Sequence, residues 1–162
     1  MADRTPRWLS PEEHRAWLGL IAVVELLPGA LDSQLQRDAG VSHFEYMVMA
    51  MLSEAPDRTL RMTSLAARTN STLPRLSHVV TRLAARGHVE RVPCPGDKRA
   101  TNAHLTDAGW EQIQAWAPGH VATVESLVID PLSATQIAQL EDITAAILSR
   151  LDPQKRFPIK DS

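Results

Sequence analysis

The chain is poor in the features that would mark a secreted, membrane or catalytic protein. It has a single cysteine, Cys94, so no internal disulfide can form and nothing points to secretion. The longest apolar run, Leu18 to Val24, closes at Glu25, well short of the roughly 18 residues a membrane span needs. No signal peptide is read, and cytoplasmic residence without a membrane partner is the expectation. The seven glycines are scattered and form no phosphate-cradling loop. A Gly-x-Ser-x-Gly elbow and a His-Glu-x-x-His pair are also missing. The six histidines (His14, His43, His78, His88, His104, His120) never fall at close metal-ligand spacing. Surface or capping roles suit them better than a distributed zinc site. The expectation is therefore a binding protein with no catalytic residues, cofactor or metal. No repeat or low-complexity segment divides the 162 residues, which fit one domain spanning 1–162.

The small net charge of −2 conceals a strong asymmetry. Between Pro56 and Thr106 stand nine Lys or Arg against three Asp or Glu, whereas the rest of the chain holds eight basic against sixteen acidic residues. A basic middle between acidic ends suits a lobe that meets a polyanion, set in an arm that avoids it.

Helix starts are well marked. Ser10, Ser42 and Ser133 are each followed three residues later by Glu13, Glu45 or Gln136, the reciprocal arrangement that satisfies two backbone donors. The first helix is expected from Ser10 to about Asp38, with Pro28-Gly29 kinking or briefly breaking it. A second runs from Ser42 to Glu54, and Thr63 caps a third to about Thr69. A fourth begins near Ser71 or Thr72, carries Pro74 in its first turn and stops at Gly87. His88–Val92 and Thr101–Leu105 read as a strand pair around a tip stiffened by Pro93 and Pro95. Thr106 opens a long helix to about Asp130, bent at Pro118-Gly119. The last helix spans Ser133 to Leu151, and 152–162 is a loose tail. The apolar stripes of the terminal helices have little to pack on within one small lobe, so a second copy is expected to cover them in a twofold dimer.

Two short helices, a Gly stop and a charged hairpin form a helix-turn-helix followed by a wing. The wing sequence Asp97-x-Arg99, then Leu105-Thr106 and Gly109, resembles that of the MarR (multiple-antibiotic-resistance regulator) family. Glu45-Tyr46, Leu65-Ala66 and the Arg82-Leu83 to Gly87 run agree, and the similarity extends from about Trp8 to Leu151. The resemblance implies a mainly α fold with a small β wing. Residues 42–106 would form the winged helix-turn-helix lobe, and residues 8–40 and 107–151 the dimerisation helices.

On the fourth helix, Leu73, Leu76, Val79, Val80 and Leu83 cover one side. Thr72, Arg75, Ser77, His78 and Arg82 are left as DNA-binding candidates, with Arg75 and His78 assigned first to bases. At the tip, Arg99 is expected to enter a minor groove and Lys98 to bind flanking phosphates. Asp97, which DNA would repel, is expected to hold an arginine in one rotamer by a bidentate pair. Trp17, His43, Tyr46 and Met47 are candidates for a small-molecule crevice of the kind that binds phenols in related proteins, with helix core as the alternative. Cys94 lies near Lys98 and Arg99, cations that favour a thiolate, so a redox-responsive wing and an inert small residue are both open. The resulting expectation is a homodimeric repressor of a pseudo-palindromic double-stranded DNA operator, released by a small effector. The alternative is a winged-helix interaction or structural dimer without ligand response.

Overall fold

The computed structural model describes residues 7–157, so the tail expected at 152–162 lies outside the described residues from 158 onward. All three expected capping boxes form, at Ser10, Ser42 and Ser133. They open α1 (Pro11–Ala39), α2 (His43–Ser53) and α6 (Ala134–Leu151). α1 ends at Gly40, whose φ of 65° is a left-handed conformation that glycine adopts without strain. The break expected at Pro28 does not occur. Pro28 removes the N–H that would meet the carbonyl of Val24, a residue that is itself exposed.

Between α2 and α3 (Met62–Arg68) the chain forms a short strand, β1 (Thr59–Arg61), which the periodicity does not reveal. Its pairing with β3 (Asp97–Leu105) keeps the backbone extended up to Arg61, so α3 starts at Met62 and Thr63 lies inside its first turn rather than capping it. Next come α4 (Leu73–Ala85), β2 (Val89–Cys94) and α5 (Asp107–Val124). The sheet is antiparallel in the order β1-β3-β2. The wing tip is tighter than expected, because Cys94 pairs with Asp97 across Pro95-Gly96. β2 is an edge strand, which tolerates proline because its outward N–H groups need no partner. A register shift at Pro93/Cys94 absorbs the remaining mismatch, and Gly96 turns the chain at φ 81°.

α5 also runs through its proline, Pro118, and the departure from α geometry comes later, as a π turn at Glu125–Ile129 where the Asp130 N–H donates to the Glu125 carbonyl. The first part of the expected tail is tied down, since Asp152 is buried and accepts from Arg156 Nε and the Phe157 N–H.

The core lies in the lobe. Leu52, Leu65, Leu76, Leu83 and Leu105 are fully buried, each contributing about 1.5–3 kcal/mol of transfer free energy. Gly109 closes one corner. A Cβ there would stand 2.1 Å from the His88 carbonyl oxygen, so only glycine lets α5 pack on the start of β2. Thr106 completes the joint, donating to the Gly87 and His88 carbonyls and accepting from the Gly109 N–H.

α1 enters this core only through its inner end, where Leu31, Gln34 and Leu35 are buried. α6 buries none of its residues, and Ile137, Leu140 and Ile143 are exposed with Val23 and Leu26 of α1. An apolar groove of about 630 Å³ runs between these two helices. One 18-residue stretch of α1 is long and apolar enough to cross a membrane, which its uninterrupted apolar run alone did not indicate.

Candidate nucleic-acid interface

Thr72 caps α4, its hydroxyl accepting from the Arg75 N–H, and Pro74 sits in the first turn as expected. Leu76, Val79, Val80 and Leu83 form the buried row at three- and four-residue spacing. The opposite, outermost row is Pro74, His78, Thr81 and Ala85, all exposed. Leu73 and Ser77 flank it on the wing side, Arg75 and Arg82 on the side of α2.

The two flanking arginines are held from below. The Arg75 guanidinium lies 4.4 Å from the Phe44 ring centroid, a cation–π contact. Arg82 Nη2 lies 2.8 Å from Glu45 Oε1, too oblique for a hydrogen bond, so charge alone holds that oxygen. The other Glu45 oxygen accepts from the backbone N–H and hydroxyl of Ser42, so the cap of α2 and the position of Arg82 share one carboxylate.

The wing side is built around Asp97. One of its oxygens lies 2.6 Å from Arg61 Nη2 and the other accepts from the backbone N–H of Arg99. The arginine fixed by Asp97 is therefore Arg61 of β1, and the contact is a single hydrogen bond rather than a bidentate fork. Arg99 keeps its guanidinium exposed, with no carboxylate partner among the described residues. The side chain of Lys98 lies outside the described residues. Arg91 of β2 reaches across to α4, where Nη2 donates to the Ser77 carbonyl and Oγ and to Thr81 Oγ1. Arg61, Arg91 and Arg99 line a cleft of about 260 Å³ with Leu73, Ser77 and Thr101, placing the wing and α4 on one face.

Two other cations of the basic middle serve the scaffold. Arg58 pairs with Asp107 and lies over Trp110, and Arg86 donates to the Gly40 carbonyl. Glu45, Arg61 and Arg91 were not picked out as site residues from sequence. Only Glu45 carried a local signal, the capping box.

The fold that carries this cationic face is similar to those of solved regulators. Over 94% of this chain and 96% of the other, the fold superposes with a TM-score of 0.87 and 44% identity on Sco3205, a MarR family transcriptional regulator from Streptomyces coelicolor whose structure was solved in complex with DNA. The chain belongs to the MarR family. The family's sequence profile matches residues 39–100, the stretch from the end of α1 to the wing tip. AbsC, another MarR family transcriptional regulator of S. coelicolor, shows 34% identity and a TM-score of 0.84 over 90% of this chain and 98% of its own. The transcriptional repressor MprA of Escherichia coli K12 is 25% identical over 76% of this chain and 70% of its length. As a MarR-family transcriptional regulator, the protein has the mainly helical fold with a small antiparallel sheet expected from its sequence.

A second cluster lies where α1, α2 and α5 of this MarR-family fold meet. The His43 and His120 rings stack at 5.9 Å, and His120 lies 4.4 Å from Tyr46. Burial lowers the pKa of His43, opposed by Asp32, and burial with the charge of His43 lowers that of His120. Burial, reinforced by Glu54, pushes the Tyr46 hydroxyl up. His120 Nδ1 and Gln34 Oε1 are buried without a hydrogen-bond partner among the described residues. Of the four expected effector residues, His43 and Tyr46 belong to this cluster. Met47 is half-buried, and Trp17, 49% exposed on the outer part of α1, makes no ring contact among the described residues. Cys94 is a half-buried free thiol.

Proposed function

We propose that the protein is a cytoplasmic, homodimeric repressor that binds a pseudo-palindromic DNA operator and is released by a small, phenol-like effector. One observation carries the DNA-binding part of this reading. Leu73 and Ser77 on the wing-side flank of α4 line one cleft with the exposed Arg99 of the wing, so a helix can enter a major groove while the wing reaches the adjacent minor groove. Thr72, Arg75, Ser77, His78 and Arg82 border the groove-facing side, with Lys98 and Arg99 at the wing and Asp97 orienting its base.

The exposed apolar faces of α1 and α6 support the dimer, since burying them against a second copy removes a large apolar patch from water. Two such copies present two α4 helices to one duplex, which is what a pseudo-palindrome requires. The effector reading is supported by His43, Tyr46 and His120 together with the unpartnered Gln34 Oε1 and His120 Nδ1, an aromatic surface with free polar atoms. Release is a population shift and needs an effector that favours one spacing of the two α4 helices.

Genomic footprinting followed by mobility shift tests the DNA-binding part. The expected result is a retarded duplex competed only by the footprinted sequence, and binding without sequence preference would refute the operator reading. A screen of phenols by thermal shift tests the effector, with stabilisation abolished by Tyr46→Ala as the expected result.

A further inference from the structure

Arg91 is exposed on β2, yet it does not simply point a charge outward. Its Nη2 lies 2.9 Å from both the carbonyl and the Oγ of Ser77 and 3.2 Å from Thr81 Oγ1. The Thr81 hydroxyl in turn donates to the Ser77 carbonyl at 2.9 Å. A hydroxyl has one hydrogen to give, and that of Thr81 is already spent inside the helix. Thr81 therefore has no proton to offer a base, and its Cγ2 methyl is the distinctive group it presents from the outermost row of α4. Ser77 is in the opposite condition. Its Oγ accepts from Arg91, and among the described residues no acceptor takes its hydrogen, so the hydroxyl is left to donate outward.

We propose that Arg91 is a positioning residue for sequence readout, fixing Ser77 as a donor and Thr81 as an apolar methyl, so that each half-site carries a thymine read through its 5-methyl group by Thr81. Of the bases in the major groove, thymine alone offers a methyl, whereas acceptors for Ser77 occur on guanine, adenine and thymine as well as on phosphate. Thr81 is accordingly the sharper discriminator of the two. The inference rests on the DNA-binding reading above and adds to it which chemical group is read and what sets it.

The test replaces thymines of the footprinted duplex one at a time by deoxyuridine, which deletes only the methyl. With the wild-type protein, one thymine per half-site should weaken binding about fourfold when replaced, the amount expected for one buried methyl. Thr81→Ser should abolish that sensitivity. Arg91→Gln should weaken it as well, by removing the outside donor that holds Thr81 Oγ1, and with it the Cγ2 methyl, in one rotamer, with thermal melting as a check on folding. Should Arg91→Gln not fold, Thr81→Ser carries the test alone. Deoxyuridine sensitivity absent at every thymine, or unchanged in Thr81→Ser, overturns the inference while leaving DNA binding intact. Undiminished sensitivity in Arg91→Gln, with affinity for all duplexes lowered and the salt slope reduced by about 1, would make Arg91 a phosphate contact instead. Wild-type protein that binds no duplex refutes the regulator reading itself, and this inference falls with it.

Discussion

Arg82 on α4 stands 2.8 Å from Glu45, a carboxylate at the start of α2 that is only 1% exposed. The same carboxylate closes the capping box with Ser42, so one acidic residue ties the start of α2 to the helix assigned to the DNA groove. Glu45→Ala removes the box and leaves a small buried void, and is expected to lower stability by about 1–3 kcal/mol. Glu45→Gln, which keeps an acceptor for Ser42, should lose less. Urea midpoints of the two variants check the order, and equal losses would show that the ion pair with the half-exposed Arg82 dominates.

Gly109 is expected to tolerate no side chain. The Cβ of Gly109→Ala would stand 2.1 Å from the His88 carbonyl oxygen and 2.7 Å from Leu105 Cδ1, so α5 must lift from the sheet. A loss of about 3 kcal/mol or more is predicted by thermal or urea unfolding. A variant with wild-type stability would show that this corner relaxes freely.

The helical skeleton was legible in the sequence because its signals are local. Ser with Glu or Gln three residues on, Thr72 before Leu73-Pro74, and Thr106 before Gly109 are each decided within one turn. β1 was not legible, because Thr59–Arg61 is too short to show alternation and exists only through its partner β3. Neither internal proline ends its helix, and the reason is related. A lost helical N–H disrupts less where the freed carbonyl is exposed to water, and exposure is a tertiary property. At the site, the exposed residues of α4 could be named from periodicity. The partners that fix them could not: Glu45 for Arg82, Phe44 for Arg75 and Arg91 for Ser77 lie on other elements.

The histidine cluster gives stability a defined pH dependence. His43 and His120 have pKa values lowered by burial, and His88 of β2's approach is lowered by burial and Arg86. A lowered histidine pKa means that the unfolded chain binds protons more readily than the folded one. Stability is therefore fully present above the unfolded pKa of about 6.5 and falls as pH drops through it toward the folded values. Chemical denaturation between pH 8 and pH 5 should show that decline, and His120→Gln should flatten it. A profile unchanged by the substitution would place the titration elsewhere.

The apolar faces of α1 and α6 predict the assembly state. Replacing Leu140 and Ile143, both exposed beside the groove, with Asp should convert a dimer to a monomer by sedimentation. A wild-type monomer at micromolar concentration would contradict the dimer.

Arg99 bears most directly on the wing. Its exposed guanidinium has no carboxylate partner among the described residues, while Asp97 is engaged with Arg61 and the Arg99 backbone. Fluorescence anisotropy with the footprinted duplex at several salt concentrations, for wild type and Arg99→Ala, tests the claim that α4 and the wing together grip DNA. The account predicts a linear fall of log affinity with log salt, and a variant weaker on every duplex with a slope smaller by about 1. Identical affinity and slope for the two proteins would contradict it.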